Sequence, residues 1–240
     1  MSLVFTTTSC DMDLTPDSAV PEHEALRTID DCDAWVVGIY SAFKNSALYS
    51  GYMTLLPDIQ ADMAYAAFNT NNGFYTNIYQ WDIKSTTDEI IAVYNGLYTI
   101  VARCNFFLDY KDQVEVNLKT TADKDNFKKR LGEVYFARAM AYAELIRLFC
   151  EPMTSVNADT ENMGICLPTT YRDDVPKVKR STLRESYNQI ISDLKSAEDN
   201  LPDSRTVADS HYFSKGAVYA LRARIYMYMG MGDLKRDRNN

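Results

Sequence analysis

Residues 66–81 are rich in aromatic and asparagine side chains, which are residue types that can recognise sugars. The flat face of a tyrosine or tryptophan ring can stack on the CH face of a sugar, and amide groups can pair with sugar hydroxyls. The same composition also fits an ordinary loop whose aromatic rings pack onto neighbouring helices. The residues alone therefore leave two interpretations open, a sugar-binding surface and a structural loop.

The cysteines and histidines have no spacing that is typical of catalysis or metal binding. The five cysteines form neither a CxxC pair nor a zinc pattern, and the two histidines belong to no HExxH motif. The chain also lacks GxSxG, P-loop and GxGxxG motifs. Cys32 and Cys104 fall on the apolar faces of predicted helices, so we expect both to be buried free thiols. We therefore predict no catalytic residue, no metal site and no cofactor.

The first residues of the chain resemble the end of a bacterial lipoprotein signal. A short apolar piece and several small residues precede Cys10, and an acidic stretch follows it. The pattern departs from a complete signal, because Thr7 occupies a position that is usually apolar and no basic residue precedes the apolar piece. Two interpretations remain open at this point, a lipid-modified Cys10 and a chance similarity.

The composition predicts a helical globular protein. Of the 240 residues, 46% are hydrophobic and 24% are charged, which excludes a wholly disordered chain. The 9 glycines and 7 prolines are fewer than the turns of a β-sandwich or barrel need. The formal net charge of −8 argues against general nucleic-acid binding, because an acidic surface repels phosphates. No run of 18 apolar residues is present, so no transmembrane helix is predicted.

Apolar residues at helical spacing predict five main helices. Thr86 with Glu89, and Thr182 with Glu185, have the spacing of capping boxes at two of the helix starts. A long connection is predicted over residues 153–180, which contain prolines and no periodic pattern. The predicted helices span residues 28–46, 87–110, 127–149, 182–201 and 214–229.

Arg138 lies inside the apolar stripe of the helix predicted over residues 127–149. A guanidinium on an apolar face needs a buried or half-buried partner, because an unpaired charge is costly to remove from water. We therefore expect an ion pair or hydrogen bonds to helix-end carbonyls, and a structural role for Arg138 rather than a catalytic one.

The last predicted helix carries a repeat-like signature. Ala223, Tyr226 and Gly230 have the offsets that small, tyrosine and glycine residues take in the first helix of a tetratricopeptide repeat. Such a repeat consists of two helices, and neither buries its apolar face alone. Ten mostly polar residues follow Gly230 and do not supply the second helix. We therefore expect a chain that is truncated at its C-terminus.

Five segments, in order along the chain, resemble the N-terminal half of the SusD/RagB family. Members of this family are surface lipoproteins of Bacteroidetes that bind nutrients, mostly glycans. The specificity of the resemblance comes from the order of the segments over nearly the whole chain. The segments are Cys10 with the acidic residues after it, residues 94–100 with Cys104 and Asn105, residues 132–149 with Arg138, residues 180–202, and residues 212–224.

The resemblance implies an all-α fold, a SusD-like scaffold of tetratricopeptide-like helix pairs. It assigns residues 1–20 to a residual lipoprotein signal and tether, and residues 21–240 to an N-terminal helical domain. It also implies a lipid anchor on Cys10 and a location at the cell surface of the outer membrane. Members bind a glycan or other nutrient without cleaving it and pass it to a SusC-like TonB-dependent barrel.

The resemblance also implies where a ligand would bind. In family members that bind starch, the ligand surface includes aromatic residues from a loop that precedes a long helix. The matching region of this chain is residues 66–83, and the correspondence is by region because the loop has no sharp motif. The candidate ligand-binding residues are Tyr75, Asn77, Tyr79 and Trp81, and a structural role is the alternative for Trp81. Arg138 and Asn105 lie in the family's helix motifs, and we expect them to be structural.

Two other classes of function remain as alternatives. The first is a cytosolic tetratricopeptide-like module for protein–protein interaction, which fits the free cysteines and the incomplete signal. The second is an all-α glycoside hydrolase, which needs two carboxylates held in a cleft at about 5–5.5 Å or about 6.5–9.5 Å from each other. The chain has 33 carboxylate residues, so the presence of such a pair in the sequence carries no information.

Overall fold

The structure of the protein is a computed structural model that describes residues 21–66, 73–153, 155–171 and 179–237. In these residues the only β-type pairing is an isolated antiparallel bridge between Cys166 and Arg180. The prediction of an all-α fold is therefore confirmed. The described helices are α1 (Ile29–Phe43), α2 (Tyr52–Gln60), α3 (Thr76–Tyr79), α4 (Asp88–Glu115), α5 (Thr121–Phe149), α6 (Leu183–Asn200) and α7 (Lys215–Asp237), with a short 3-10 helix at Glu22–Glu24.

The two longest helices, α4 and α5, form the centre of the fold. They run antiparallel, because Tyr94 near the start of α4 meets Phe149 at the end of α5, while Asn105 meets Arg138 midway. Thr120 begins α5 with a capping box. Apolar stripes from both helices face each other in one core that includes Leu97, Val101, Cys104, Val134, Tyr142 and Leu145.

Helix α1 packs against both α4 and α5. Its indole group at Trp35 stacks on Phe106 with ring centroids 4.3 Å apart, and the indole N–H donates to the carbonyl oxygen of Arg103 at 2.9 Å. Arg103 in turn donates to the carbonyl oxygen of Gly38 at 2.6 Å. Polar bonds in both directions therefore fix the position of α1 on α4.

Helices α5 and α6 approach each other closely at Gly132. A Cβ atom at this position would lie 2.8 Å from Cγ of Leu201, so a larger residue would push the end of α6 away. The capping box predicted for Thr182 and Glu185 is present at the start of α6 and is confirmed. Helix α7 then packs on α6 and extends the helical array.

Several predictions about helix ends were wrong. Helix α5 begins at Thr121, before the predicted start at residue 127. No capping box joins Thr86 and Glu89: α4 begins after Thr87, whose hydroxyl accepts from the backbone N–H of Lys84 at 3.0 Å instead. Helix α4 continues to Glu115, beyond the predicted end at residue 110. Helix α7 continues to Asp237, beyond the predicted end at residue 229.

Helix α4 is long and apolar enough to cross a membrane by length and composition alone. Its contacts identify it instead as a core helix, because its apolar residues pack against α1 and α5. Cys104 on α4 and Cys32 on α1 are both fully buried, so the prediction of buried free thiols is confirmed for these two residues. Cys10, the predicted lipidation site, lies outside the described residues.

Candidate functional site

The single-turn helix α3 lies within residues 66–81, which were predicted to form one loop. A tyrosine precedes this helix and a tryptophan ends the turn after it, and both have left-handed backbone angles: φ is 60° at Tyr75 and 58° at Trp81. Residues other than glycine seldom adopt this conformation, and holding one there costs of the order of 1 kcal/mol. The surrounding turn therefore holds two candidate aromatic residues in strained, defined positions, which is a feature common at functional sites.

Hydrogen bonds within the turn maintain this geometry. The hydroxyl of Thr76 donates to the carbonyl oxygen of Gly73 at 2.9 Å, and the backbone N–H of Trp81 donates to the carbonyl oxygen of Ile78 at 3.1 Å. The N–H of Asp82 donates to the carbonyl oxygen of Asn77 at 2.9 Å. These bonds involve the backbone of Asn77, and the residue itself is exposed.

A small apolar cluster packs helix α3 against helix α2. Its buried members are Leu56 and Ile59 of α2 and Ile78 of α3, and it is separate from the main core. Tyr75 and Tyr79 are half-buried against this cluster. The ring of Tyr75 also meets Tyr52 edge to face, with centroids 6.1 Å apart. These two candidate residues therefore contribute to packing as well as to the surface.

The most exposed aromatic side chains of the site are Trp81 and Phe74. Trp81 is 64% exposed and Phe74 is 66% exposed, so both present apolar rings to solvent. The ring of Phe74 lies 6.1 Å from that of Tyr75. Phe74 was not among the residues predicted from the sequence to bind a ligand, although it lies in the same aromatic stretch, directly before Tyr75. We call Phe74, Tyr75, Asn77, Tyr79 and Trp81 the α3 patch.

Arg138 and Asn105 lie away from the α3 patch, in a buried polar network. The Nη2 and Nε atoms of Arg138 bond Oδ1 and Oδ2 of Asp193 at 2.6 and 2.8 Å, and Nη1 donates to Oδ1 of Asn105 at 2.8 Å. Asn105 then donates to the carbonyl oxygen of Pro168 at 2.6 Å, which also accepts from the hydroxyl of Tyr142. The network joins α4, α5 and α6 and holds the connection after α5 against them.

Burial and pairing oppose each other in this network. Burial raises the pKa of the Asp193 carboxyl above its ordinary value, and the hydrogen bonds from Arg138 only partly offset that rise. For Arg138, burial lowers the pKa, but the bonds to Asp193 outweigh burial and the pKa is raised. No side-chain nitrogen or oxygen atom buried in the described residues is left without a hydrogen-bond partner. The arrangement is therefore suited to holding helices together.

Comparison with known proteins adds to this geometry. Residues 12–227 match a SusD-like family model whose description is "Starch-binding associating with outer membrane". The chain belongs to the SusD-like family. The predicted resemblance to SusD/RagB proteins is therefore confirmed, and so is the SusD-like helical scaffold.

Individual relatives support the same assignment. SusD-like protein P2 of Formosa agariphila is 22% identical over 230 residues, which are 95% of this chain and 42% of the relative. A SusD homolog from Bacteroides thetaiotaomicron has a similar structure, with a TM-score of 0.70 and 24% identity over 85% of this chain and 37% of that one. A structure described as a laminarin binding SusD-like protein has a TM-score of 0.68 and 18% identity over 86% of this chain and 42% of that one.

The SusD-like chain thus spans less than half the length of each of these three proteins. At these levels of identity the structural likeness shows the shared fold and does not transfer individual binding residues. The assignment of the α3 patch therefore rests on the geometry of this chain alone.

A second buried network in the SusD-like chain fixes the connection between α6 and α7. Glu133 of α5 is buried and bonds both Arg130, at 3.0 Å, and Arg205. The ring of Tyr212 lies 5.0 Å from the guanidinium carbon of Arg130 and 5.6 Å from that of Arg205. Arg205 also donates to the carbonyl oxygen of Phe213 at 2.8 Å. These contacts hold the segment between α6 and α7 against α5, and none of them involves a residue of the α3 patch.

Proposed function

We propose that the protein binds an oligosaccharide at the cell surface without cleaving it, and that the α3 patch forms part of its binding surface. The observation that carries the proposal is the exposed indole of Trp81 at a left-handed position of a turn that also contains the exposed Asn77. Membership of a family described as starch-binding supports a glycan as the ligand, and one structural neighbour is described as laminarin binding.

The proposed mechanism of binding is stacking combined with hydrogen bonding. The CH face of a sugar ring packs on Trp81 or Phe74, while the hydroxyls at the ring edge stay in water or pair with the amide of Asn77. Each stacked ring contributes through the apolar surface that it removes from water, at about 25 cal/mol for each Å². A few such contacts give modest affinity, because each tenfold change in Kd corresponds to about 1.4 kcal/mol. Modest affinity suits a protein that captures a nutrient and releases it to a transporter.

The cellular context belongs to the same proposal. Family association with the outer membrane supports attachment at the cell surface, through a lipid on Cys10, and delivery of the ligand to a SusC-like TonB-dependent barrel. We expect palmitate to label the protein in cells and a Cys10→Ser variant to lose the label. Absence of palmitate from the protein would contradict the anchor, and failure to purify the protein together with a TonB-dependent barrel would contradict the partner.

Calorimetric titration of the whole protein with maltoheptaose and with laminarihexaose tests the binding function. We expect saturable binding of at least one of these sugars. A Tyr79→Ala and Trp81→Ala double variant should bind it at least about fivefold more weakly, which corresponds to about 1 kcal/mol. The single variant Trp81→Ala guards against loss of folding, since Tyr79 also packs on the apolar cluster. Val207→Ala, which shortens an apolar side chain that is 92% exposed, is the control.

Two results would refute this assignment of function and site. Unchanged affinity in the double variant would remove the α3 patch from the binding surface. Each sugar is also incubated with the protein and its length is measured by chromatography. Shortening of either sugar would contradict non-catalytic binding.

A further inference from the structure

A cavity of about 350 Å³ lies beside the α3 patch and none of the patch residues lines it. One wall comes from α2 and the other from the start of α4 and the end of α5. Tyr52 connects the two features, because its ring contacts Tyr75 of the patch and also lines the cavity. The volume lies within the range of about 300–1,000 Å³ that is usual for small-molecule sites.

The cavity walls are mostly apolar. Leu56 and Val93 form buried parts of the wall, and Ile83, Ile90 and Phe149 are half-buried apolar residues that contribute to it. Four half-buried or buried aliphatic side chains and an aromatic ring thus share one concave surface. An apolar group that enters it gains about 25 cal/mol for each Å² of apolar surface removed from water.

Four polar residues line the cavity, namely Lys84 and Ser85 at its exposed edge and the half-buried Tyr52 and Gln60. Lys84 and Ser85 are exposed, and Lys84 forms a 3.1 Å ion pair with Asp82. A sugar ring carries hydroxyls around its whole edge, and their burial against aliphatic walls would leave hydrogen bonds unmade, at a cost of about 1–3 kcal/mol each. The cavity has few polar groups for the many hydroxyls of a sugar ring and is therefore better suited to an apolar group.

The backbone fixes the edge of the cavity before any ligand binds. The N–H of Lys84 donates to the hydroxyl of Thr87 at 3.0 Å, which attaches the segment from Ile83 to Ser85 to the start of α4. This segment follows Trp81 after a single intervening residue. An apolar substituent and the sugar that carries it could therefore occupy the cavity and the patch at the same time.

We propose that the cavity binds an aromatic acyl group that is esterified to the glycan, so that the nutrient is an aryl-ester-substituted oligosaccharide. This inference rests on the proposed function, since the sugar part occupies the α3 patch. The aromatic ring enters between Ile90 and Phe149, and the ester lies at the edge near Lys84 and Ser85. The patch supplies recognition of the sugar, and the cavity supplies selectivity for substituted over unsubstituted chains.

Separate probes for the two sites test this inference on the whole protein. Methyl cinnamate is an aryl ester without a sugar and reports on the cavity, whereas maltoheptaose and laminarihexaose report on the patch. Titration followed by saturation-transfer NMR should show saturable binding of methyl cinnamate. Ile90→Trp, which fills the cavity, should weaken this binding at least tenfold. Ile91→Trp is the matched control, because Ile91 is the next residue of α4, is exposed and does not line the cavity.

A melting curve establishes whether the Ile90→Trp variant is folded. If that variant is not folded, Ile83→Trp, which lies outside the helices and also lines the cavity, takes its place. No binding of methyl cinnamate, or equal binding by the cavity-filling variant and the Ile91→Trp control, overturns the cavity site. The Trp81→Ala variant should keep its affinity for methyl cinnamate and lose affinity for the sugar. Binding of methyl cinnamate with no binding of either sugar contradicts the proposed glycan function, and with it the assignment of the aryl group to a glycan.

Discussion

Arg138 of α5 and Asp193 of α6 form a two-point ion pair inside the protein. The atoms Nη2 and Oδ1 are 2.6 Å apart, Nε and Oδ2 are 2.8 Å apart, and the side chains are only 6% and 2% exposed. The guanidinium also reaches Asn105 of α4. One charge pair therefore connects the three helices that form the centre of this SusD-like scaffold.

Removal of one charge from this pair should strongly destabilise the fold. We expect Asp193→Asn to lower the free energy of unfolding by about 3–5 kcal/mol, because it leaves the Arg138 charge buried without its counterion. Urea unfolding followed by circular dichroism measures the loss. Asp199→Asn is the control on the same helix: its ion pair with Lys195 is exposed and should contribute less than about 1 kcal/mol. Equal losses in the two variants would show that the buried pair has no special role.

The second network predicts a local effect. Arg205 joins Glu133 to the carbonyl oxygen of Phe213, so Arg205→Ala should loosen the connection between α6 and α7 while α4 and α5 stay intact. Hydrogen–deuterium exchange should accelerate at least tenfold in residues 203–213. Asp203→Asn, which removes the exposed partner of Lys215, should leave that exchange unchanged. Unaltered exchange in Arg205→Ala would mean that other contacts hold the connection.

The thiol of Cys32 predicts a loss of stability in alkali. Burial, with smaller contributions from Asp31 and Asp33, raises its pKa to about 12, whereas a thiol in the unfolded chain titrates near 8.5. Between these two values the unfolded state loses its proton first. The free energy of unfolding should therefore fall as pH rises above about 9, by up to about 1.4 kcal/mol per pH unit from this group.

Urea unfolding of reduced protein from pH 7 to pH 10.5 measures this contribution. The Cys32→Ala variant should show a shallower fall above pH 9, and the two proteins should have parallel curves below pH 8, where the thiol is protonated in both states. Parallel curves over the whole range would contradict the pKa shift.

Helix α7 predicts self-association of the 240-residue chain. Tyr219 and Tyr226 are seven residues apart and lie on one face of this helix, and Met227 lies on the adjoining surface. All three are half or more exposed, which is an unusual amount of apolar surface for one helix. We expect sedimentation velocity to show association that increases with concentration. The double variant Tyr226→Lys and Met227→Glu should be monomeric. Val207→Lys, at an isolated and 92% exposed position, should associate like the unmodified chain, and a monomeric unmodified chain would contradict this prediction.

Much of the helical scaffold could be predicted from the sequence, because apolar stripes over 15 or more residues specify both the helix and its buried face. The need of Arg138 for a partner was also visible. The identity of that partner was not selected, since Asp193 is 55 residues away and the chain offers 33 carboxylates. The sequence nevertheless carries a signal for this partner, because Asp193 interrupts the apolar stripe of α6 between Ile190 and Leu194. Arg138 and Asp193 are thus opposite charges, each within the apolar stripe of a helix.

The candidate site was less accessible to sequence reasoning. Helix α3 has four residues, which is too short for a period to be detected, so its turn was treated as part of a loop. The left-handed angles at Tyr75 and Trp81 depend on the turn as a whole and have no signature in either residue. The exposure of Phe74 and the cavity behind Tyr52 depend on how α2 packs on α4, which is a property of the tertiary structure.

Fluorescence of Trp81 is the most direct test of the central claim, that this residue contacts a bound glycan. The chain has 2 tryptophans, and the other one, Trp35, stacks on Phe106 in the contact between α1 and α4. During titration with maltoheptaose or laminarihexaose, the emission of the whole protein should shift to shorter wavelength and saturate. The shift should persist in Trp35→Phe and disappear in Trp81→Phe. Sugar binding with an identical shift in Trp81→Phe would contradict the claim.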